Sequence, residues 1–248
     1  MQRLKSYLVF FLVVGLTLPV KSQNKILFVT SNQHTYGDLK KDAANHFEEI
    51  VVAFDEFKKA GYKVDFVSPE GGAIPLGYIR TSDPVQKHYL YDSSFMNLLK
   101  NTKRPDEIKA SGYLAVYYSG GGAAMFGVPD NKSIQELTSF IYLKGGVVSA
   151  ICHGTAGLVN VKLPDGKYIY EGKKISGFPD AFETLDADYY KQFPFSIEKK
   201  LKENGGEYKY SQRGWDGFYV YDGRLVSGQD PSGSRLVAQK VIETIKNQ

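Results

Sequence analysis

Hydrophobic positions fall into short apolar runs that alternate with longer stretches of helical period, the pattern that builds a parallel sheet covered by helices. KILFVTS, from Lys25 to Ser31, is one such run, continuous as in a strand buried on both faces. In DAANHFEEIVVAFDEFKKAG, Phe47, Ile50, Val51, Phe54 and Phe57 recur at helical spacing and Gly61 closes the pattern. YKVDFVSPEGG then reads as a second strand running into a Pro/Gly turn, completing a β-α-β opening. Residues 73 to 110 are less regular, with a short helix at SSFMNLLKN. Within them EGGAIPLGYIRTSDPV, lying beyond the C-terminal end of a strand, is a candidate substrate-side loop or dimer contact.

Regular order returns with GYLAVYYSGGG, a strand ending in a glycine turn, and NKSIQELTSFIYLKGG, a helix with Asn131 or Ser133 as its cap. VVSAIC is a further buried strand ending at Cys152, and HGTAGLVNV reads as the helix behind it. DGKYIYEGKKISGF suggests a hairpin or irregular excursion around Gly166 and Gly172, followed by a helix near DAFETLDADYY, the segment FSIEKKLKENGG and a strand at EYKY. The chain closes with a hairpin turning at Asp222-Gly223, a short strand, and a helix begun by DPSGS. With no repeat, linker or low-complexity tract, one α/β domain is expected, its sheet mostly parallel with helices on both faces.

The N-terminus changes how charge is read. Arg3 and Lys5 precede a short apolar core, and small residues end at Ser22, the layout of an export leader over residues 1–22 with the domain over 23–248. The apolar run is short for a membrane span, which takes roughly 20 residues. Export to a periplasm or the medium follows as an expectation, with no membrane attachment after cleavage. The whole chain carries 31 Lys and Arg against 27 Asp and Glu; without Arg3, Lys5 and Lys21 the balance is 28 against 27. So nearly neutral a domain offers no electrostatic case for nucleic acid.

Composition matters most at one residue. Cys152 is the single cysteine, so no internal disulfide can form, and the thiol is either a small buried hydrophobe or a working group. Its setting favours the second. A strand that ends abruptly and turns through SAICHGTAG is the geometry of a nucleophile elbow, which exposes a side chain beside backbone N–H groups able to hold a thiolate or an oxyanion. His34, His46 and His88 lack ligand spacing and read as structural or exposed, and Trp215 and Asp216 in RGWDGF read as packing a loop or turn, with lining the pocket as the lesser alternative.

AICHG after an apolar strand, GGG at the end of the preceding strand, and the segments GYKVDFVSPEGG, EGKKISGFPDAFET and WDGFYVYDGRLVSGQDPSGS resemble the ThiJ/PfpI superfamily, relatives of class I glutamine amidotransferases. The similarity is greatest to the heat-shock-chaperone-like branch that includes glutathione-independent glyoxalase III, and it implies a flavodoxin-like fold. It makes Cys152 the nucleophile, His153 its adjacent histidine, Glu183 the acid that orients the histidine, and Glu49, with Glu48 as the competing choice, the acid against the sulfur. Gly121 and Gly122 fall at the oxyanion-hole backbone, and Gly154 allows close approach of substrate or backbone. Where relatives read approximately PGGHGxxxDxP, this chain has SGGGAAMFGVPDN, so Gly122 and Gly127 replace a histidine and an aspartate. A backbone N–H survives that change but a metal-ligating side chain does not, so no metal is expected.

The implied reaction converts a 2-oxoaldehyde such as methylglyoxal to a 2-hydroxy acid through a Cys152 hemithioacetal, with a small carbonyl compound as partner and no cofactor. The same residues would serve a hydrolase acting as amidase, peptidase or deglycase, or a stress chaperone or redox sensor with incidental turnover. The resemblance also implies a homodimer.

Overall fold

In the computed structural model, which describes residues 24–248, the expected α/β domain is present; the leader reading lies outside these residues. β1 (Lys25–Val29) is followed by the two-residue β2 (Asn45–His46), helix α1 (Phe47–Lys59), β3 (Lys63–Val67) and a short β4 (Leu76–Gly77). Helices α2 (Pro84–Tyr91) and α3 (Ser93–Lys100), β5 (Ala115–Tyr118), α4 (Lys132–Leu143) and β6 (Val147–Ile151) come next. The last third holds β7 (Lys174–Ile175), α5 (Asp188–Lys191), α6 (Ile197–Glu203), β8 (Glu207–Tyr208), β9 (Tyr219–Asp222), β10 (Leu225–Gly228) and α7 (Ser234–Lys246).

Six strands form the central sheet in the order β3-β1-β5-β6-β10-β9. All neighbours pair parallel except β9, which runs antiparallel at the edge. Strand side chains alternate between two cores, which is why the runs are apolar throughout. Ile26, Phe28, Ala115 and Tyr117 pack toward α1 and α7, and Leu27, Val29, Val116 and Tyr118 toward the opposite face, beneath α4 and α6. Because the parallel strands all end on one side, the glycine turn after β5 and Cys152 after β6 emerge next to each other at the sheet's C-terminal edge, where α/β sites form.

Local differences from the sequence reading have physical causes. The α1 helix starts at Phe47 because Asn45 and His46 pair with Leu76 and Gly77 instead. Residues Cys152–Leu158 form 3₁₀ turns rather than the expected α-helix. A Cβ at Gly154 would lie 2.5 Å from the Tyr118 carbonyl and one at Gly157 2.5 Å from the Tyr118 ring, so this segment packs tightly onto β5. The 165–178 stretch is the irregular excursion expected: the chain turns at Gly166 with an antiparallel Lys162–Tyr168 bridge and then runs to β7, which pairs parallel with the distant β8. The α2 helix, capped by the Asp83 side chain accepting from Gln86 N–H, stands where the sequence offered no regular pattern. Asn131, not Ser133, caps α4, its side chain accepting from Ile134 N–H at 3.0 Å. The β9–β10 hairpin turns at Gly223-Arg224, one residue later than expected. Among the described residues no helix is long and apolar enough to cross a membrane.

Candidate active site

Cys152 leaves β6 with φ 55°, a left-handed conformation that a residue bearing a Cβ adopts rarely and at some energetic cost. The strain is absorbed by close backbone packing around it. A Cβ on Gly120 would lie 2.7 Å from Gly154 N and 2.8 Å from His153 N, so only glycine admits the β5 turn this near the elbow. Gly121, at φ 92°, likewise has the Ala44 carbonyl where a Cβ would go. The backbone N–H groups of Gly121 and His153 both favour the thiolate of Cys152. Gly122 is placed differently from the expectation: it is buried against the Tyr36 ring and does not line the cavity. Gly154 admits the β5 backbone and does not line the cavity.

Three side chains form a relay. The Cys152 sulfur lies 3.3 Å from His153 Nδ1, and His153 Nε2 lies 2.7 Å from Glu183 Oε1. A carboxylate at Nε2 fixes the tautomer with the proton on Nε2, leaving Nδ1 to accept from the thiol. Tyr189 donates to the other Glu183 oxygen at 3.2 Å, and Phe178 stacks on the imidazole with centroids 4.7 Å apart. Glu183 is nearly covered, its side chain 6% exposed.

Glu49 approaches from the first turn of α1. It is fully buried, held by Gly120 N–H donating to Oε2 at 2.6 Å and by the Tyr117 hydroxyl donating to its backbone carbonyl at 3.1 Å. Its Oε1 has no hydrogen-bond partner. Burial pushes its carboxyl up to about 8, opposed by the Gly120 amide and the Cys152 thiol. Glu49 therefore keeps its proton at neutral pH. Burial also pushes the Cys152 thiol up, and an ionised Glu49 would push it further. With Glu49 neutral that repulsion disappears, and its proton becomes available to the sulfur. Glu48, the competing choice, points away: its Oε2 accepts from Arg80 at 3.0 Å and Gln86 at 3.1 Å.

Cys152, His153 and Glu183 open into a cavity of about 790 Å³, whose lining does not include the fully buried Glu49, within the roughly 300–1,000 Å³ of small-molecule sites. Cys152, His153, Glu183 and Gly121 line it together with His46 of β2, Tyr189 of α5, and Tyr36, Tyr78, Phe182 and Trp215 from the segments between the longer elements. Tyr78 lies in the segment read as a candidate substrate-side loop, whose Leu76, Gly77 and Tyr78 line the cavity, whereas the sequence did not mark Tyr36 or Tyr189, and His46, read as structural or exposed, lines it as well. Its imidazole is driven down to about 3, chiefly by burial and then by His153, so it stays uncharged. His34 and His88 are exposed, as read. Trp215, at φ 47°, faces Phe178 and Phe182 at the rim. Asp216 accepts from the Ser211 hydroxyl and stays outside the cavity. The histidine and aspartate positions at Gly122 and Gly127 supply no metal donors, and among the described residues no three His, Cys, Asp or Glu cluster to hold an ion.

A mostly parallel sheet with a cysteine at a strained strand end, backed by histidine and glutamate, defines the class of α/β proteins built around a nucleophile elbow. Within that class the chain belongs to the DJ-1/PfpI family, whose profile matches residues 43–244. It is 33% identical to the glutathione-independent glyoxalase HSP31 of Saccharomyces cerevisiae, over 80% of this chain and 88% of that protein. It is 32% identical to glyoxalase 3 of Candida albicans, over 88% and 96%. Among solved structures, glyoxalase III from Candida albicans superposes with a TM-score of 0.81 at 29% identity, covering 90% of this chain and 97% of that one. The Rapid Encystment Protein 24 kDa of Francisella tularensis superposes at 0.84 with 27% identity, covering 90% and 99%.

Proposed function

We propose that the protein is a glutathione-independent glyoxalase that converts 2-oxoaldehydes to 2-hydroxy acids at Cys152. The observation that carries this reading is the buried, unpartnered Oε1 of a neutral Glu49 beside the Cys152–His153–Glu183 relay. A hydrolase needs the relay; moving a proton between two substrate carbons needs an additional acid–base group that water does not level. The relatives named as glyoxalases support the same choice.

His153 takes the thiol proton and Cys152 sulfur bonds to the aldehyde carbon, whose oxygen becomes an alkoxide beside the Gly121 and His153 N–H groups. Glu49 protonates that oxygen and, now a carboxylate, removes the proton from the same carbon. His153 returns its proton to the neighbouring oxygen, giving an enediol. Glu49 then protonates the second carbon and recovers a proton from the first oxygen, leaving a 2-hydroxy thioester. Water, deprotonated by His153, cleaves the thioester and the thiolate regains its proton, so the net change is addition of one water. No redox partner is needed. The product from methylglyoxal is lactate, and a leader at residues 1–22 would place the reaction outside the cytosol.

The test is incubation of purified protein and Cys152→Ala with methylglyoxal, without thiol or metal, following lactate. Many equivalents of lactate from the wild type and none from the variant are expected. No lactate from either would end the glyoxalase reading and turn attention to acyl substrates.

A further inference from the structure

The wall facing Cys152 contains a hydrogen-bond donor that the protein does not use. Tyr36 and Tyr78 hydroxyls lie 3.2 Å apart, and neither makes another side-chain hydrogen bond. Two hydroxyls carry two protons, and one bond between them consumes one. Of the two residues Tyr36 is buried, 7% exposed, and Tyr78 is the open one, 51% exposed. When the buried Tyr36 hydroxyl donates to the Tyr78 oxygen, the spare O–H belongs to the exposed Tyr78. Both residues line the catalytic cavity.

Several independent features hold this pair in place. Tyr78 has φ 58°, a conformation costly for an aromatic residue and therefore imposed by its surroundings. Its ring stacks on His46 with centroids 4.5 Å apart and planes 5° from parallel. Gly122 makes the arrangement sterically feasible: a Cβ there would fall 2.3 Å from the Tyr36 hydroxyl oxygen. Any side chain at position 122 would displace that hydroxyl. Burial raises both phenols above their usual range, so they remain donors at any working pH.

Resting on the glyoxalase reading above, we infer that the Tyr78 hydroxyl donates to the second carbonyl oxygen of a 1,2-dicarbonyl substrate whose first carbon is bound to Cys152. That oxygen gains negative charge as the enediol forms, so a positioned O–H stabilises the transition state more than the ground state. A substrate with one carbonyl has no atom to receive it. The Tyr36–Tyr78 pair would therefore select dicarbonyls over simple aldehydes.

The experiment compares wild type, Tyr78→Phe and Tyr36→Phe. Two readouts are used: lactate formation from methylglyoxal, and protection of Cys152 from iodoacetamide by methylglyoxal or by acetaldehyde. Tyr78→Phe keeps the ring stack and should lower kcat/KM by about 100-fold. It should weaken protection by methylglyoxal and leave both protection by acetaldehyde and the unprotected alkylation rate unchanged. Tyr36→Phe leaves the Tyr78 O–H in place and should lose about tenfold at most. A Tyr78→Phe protein equal to wild type in both readouts, or one less impaired than Tyr36→Phe, overturns the proposal. A wild type that is protected without turning over ends the glyoxalase reading alone, and the protection ratios still decide the role of Tyr78. If methylglyoxal protects no better than acetaldehyde in the wild type, the proposal falls with or without turnover.

Discussion

On one side of the cavity Cys152, Gly120, Gly121 and Gly154 meet backbone against backbone at the ends of β5 and β6. On the other, Tyr36, Tyr78, Phe182 and Trp215 are side chains carried by loops. At its three glycines the first region leaves no room for a Cβ, so its geometry is set by the fold itself. The second is held by aromatic contacts and single hydrogen bonds, which admit substitution. Chemistry belongs to the rigid corner and substrate choice to the adaptable wall, a division that places the nucleophile on a scaffold and its selectivity on loops.

Substitutions on each side should separate the two roles. The largest effect is expected from Glu49→Gln, which preserves an acceptor for Gly120 N–H and removes the titrating proton. Steady-state assays should show kcat/KM for methylglyoxal lower by roughly 10²–10⁴-fold, while alkylation of Cys152 persists; near-normal turnover would remove Glu49 from the mechanism. The same variant has a stability signature. The folded carboxyl sits at about 8 against an ordinary 4.5, so folding takes up a proton between those values and its contribution is lost as pH rises through about 8. Wild-type melting temperature should therefore fall across that window more steeply than that of Glu49→Gln.

Next in size, Gly120→Ala should destabilise the protein by about 1–3 kcal/mol in urea titrations, because the added methyl meets His153 and Gly154 backbone atoms rather than flexible side chains. An unchanged midpoint would mean that the corner is less rigid than described. His46→Phe keeps an aromatic partner for Tyr78 and removes a group whose folded value, about 3, lies below its ordinary 6.5. The folded protein resists protonation there, so stability present above 6.5 is lost as pH falls toward 3. Thermal melts from pH 7 to 4 should show a shallower acid loss in the variant. The smallest effect is expected at the rim: Trp215→Ala should raise KM several-fold and leave kcat alone, since Trp215 is 61% exposed and contacts Phe178 rather than the relay side chains themselves. A fall in kcat instead would make Trp215 part of the chemistry.

The same division explains what the sequence disclosed. Periodicity located β1, α1, β3, β5, α4, β6 and α7 because each buries a regular face. Cys152, His153 and the glycine turn were legible because their spacing is local. Glu49 and Glu183 needed family resemblance, since a glutamate on a helix or loop is ordinarily solvated. The loop carrying Tyr78 was legible as a substrate-side segment because it follows the C-terminal end of a strand, but Tyr36 and His46 carried no signal: His46 meets that loop only when β2 pairs with β4, a two-residue contact between irregular segments. The 3₁₀ turn after Cys152 escaped for a related reason, because Gly154 and Gly157 are dictated by contact with Tyr118, which is far away in sequence.

The most direct measurement is rapid acid quenching of the wild-type protein during turnover of methylglyoxal, followed by peptide mass mapping. A lactoyl thioester on the Cys152 peptide, formed and lost at the rate of lactate release, is the predicted result. A Cys152 peptide that stays unmodified while lactate accumulates would contradict the central claim that this thiol carries the substrate.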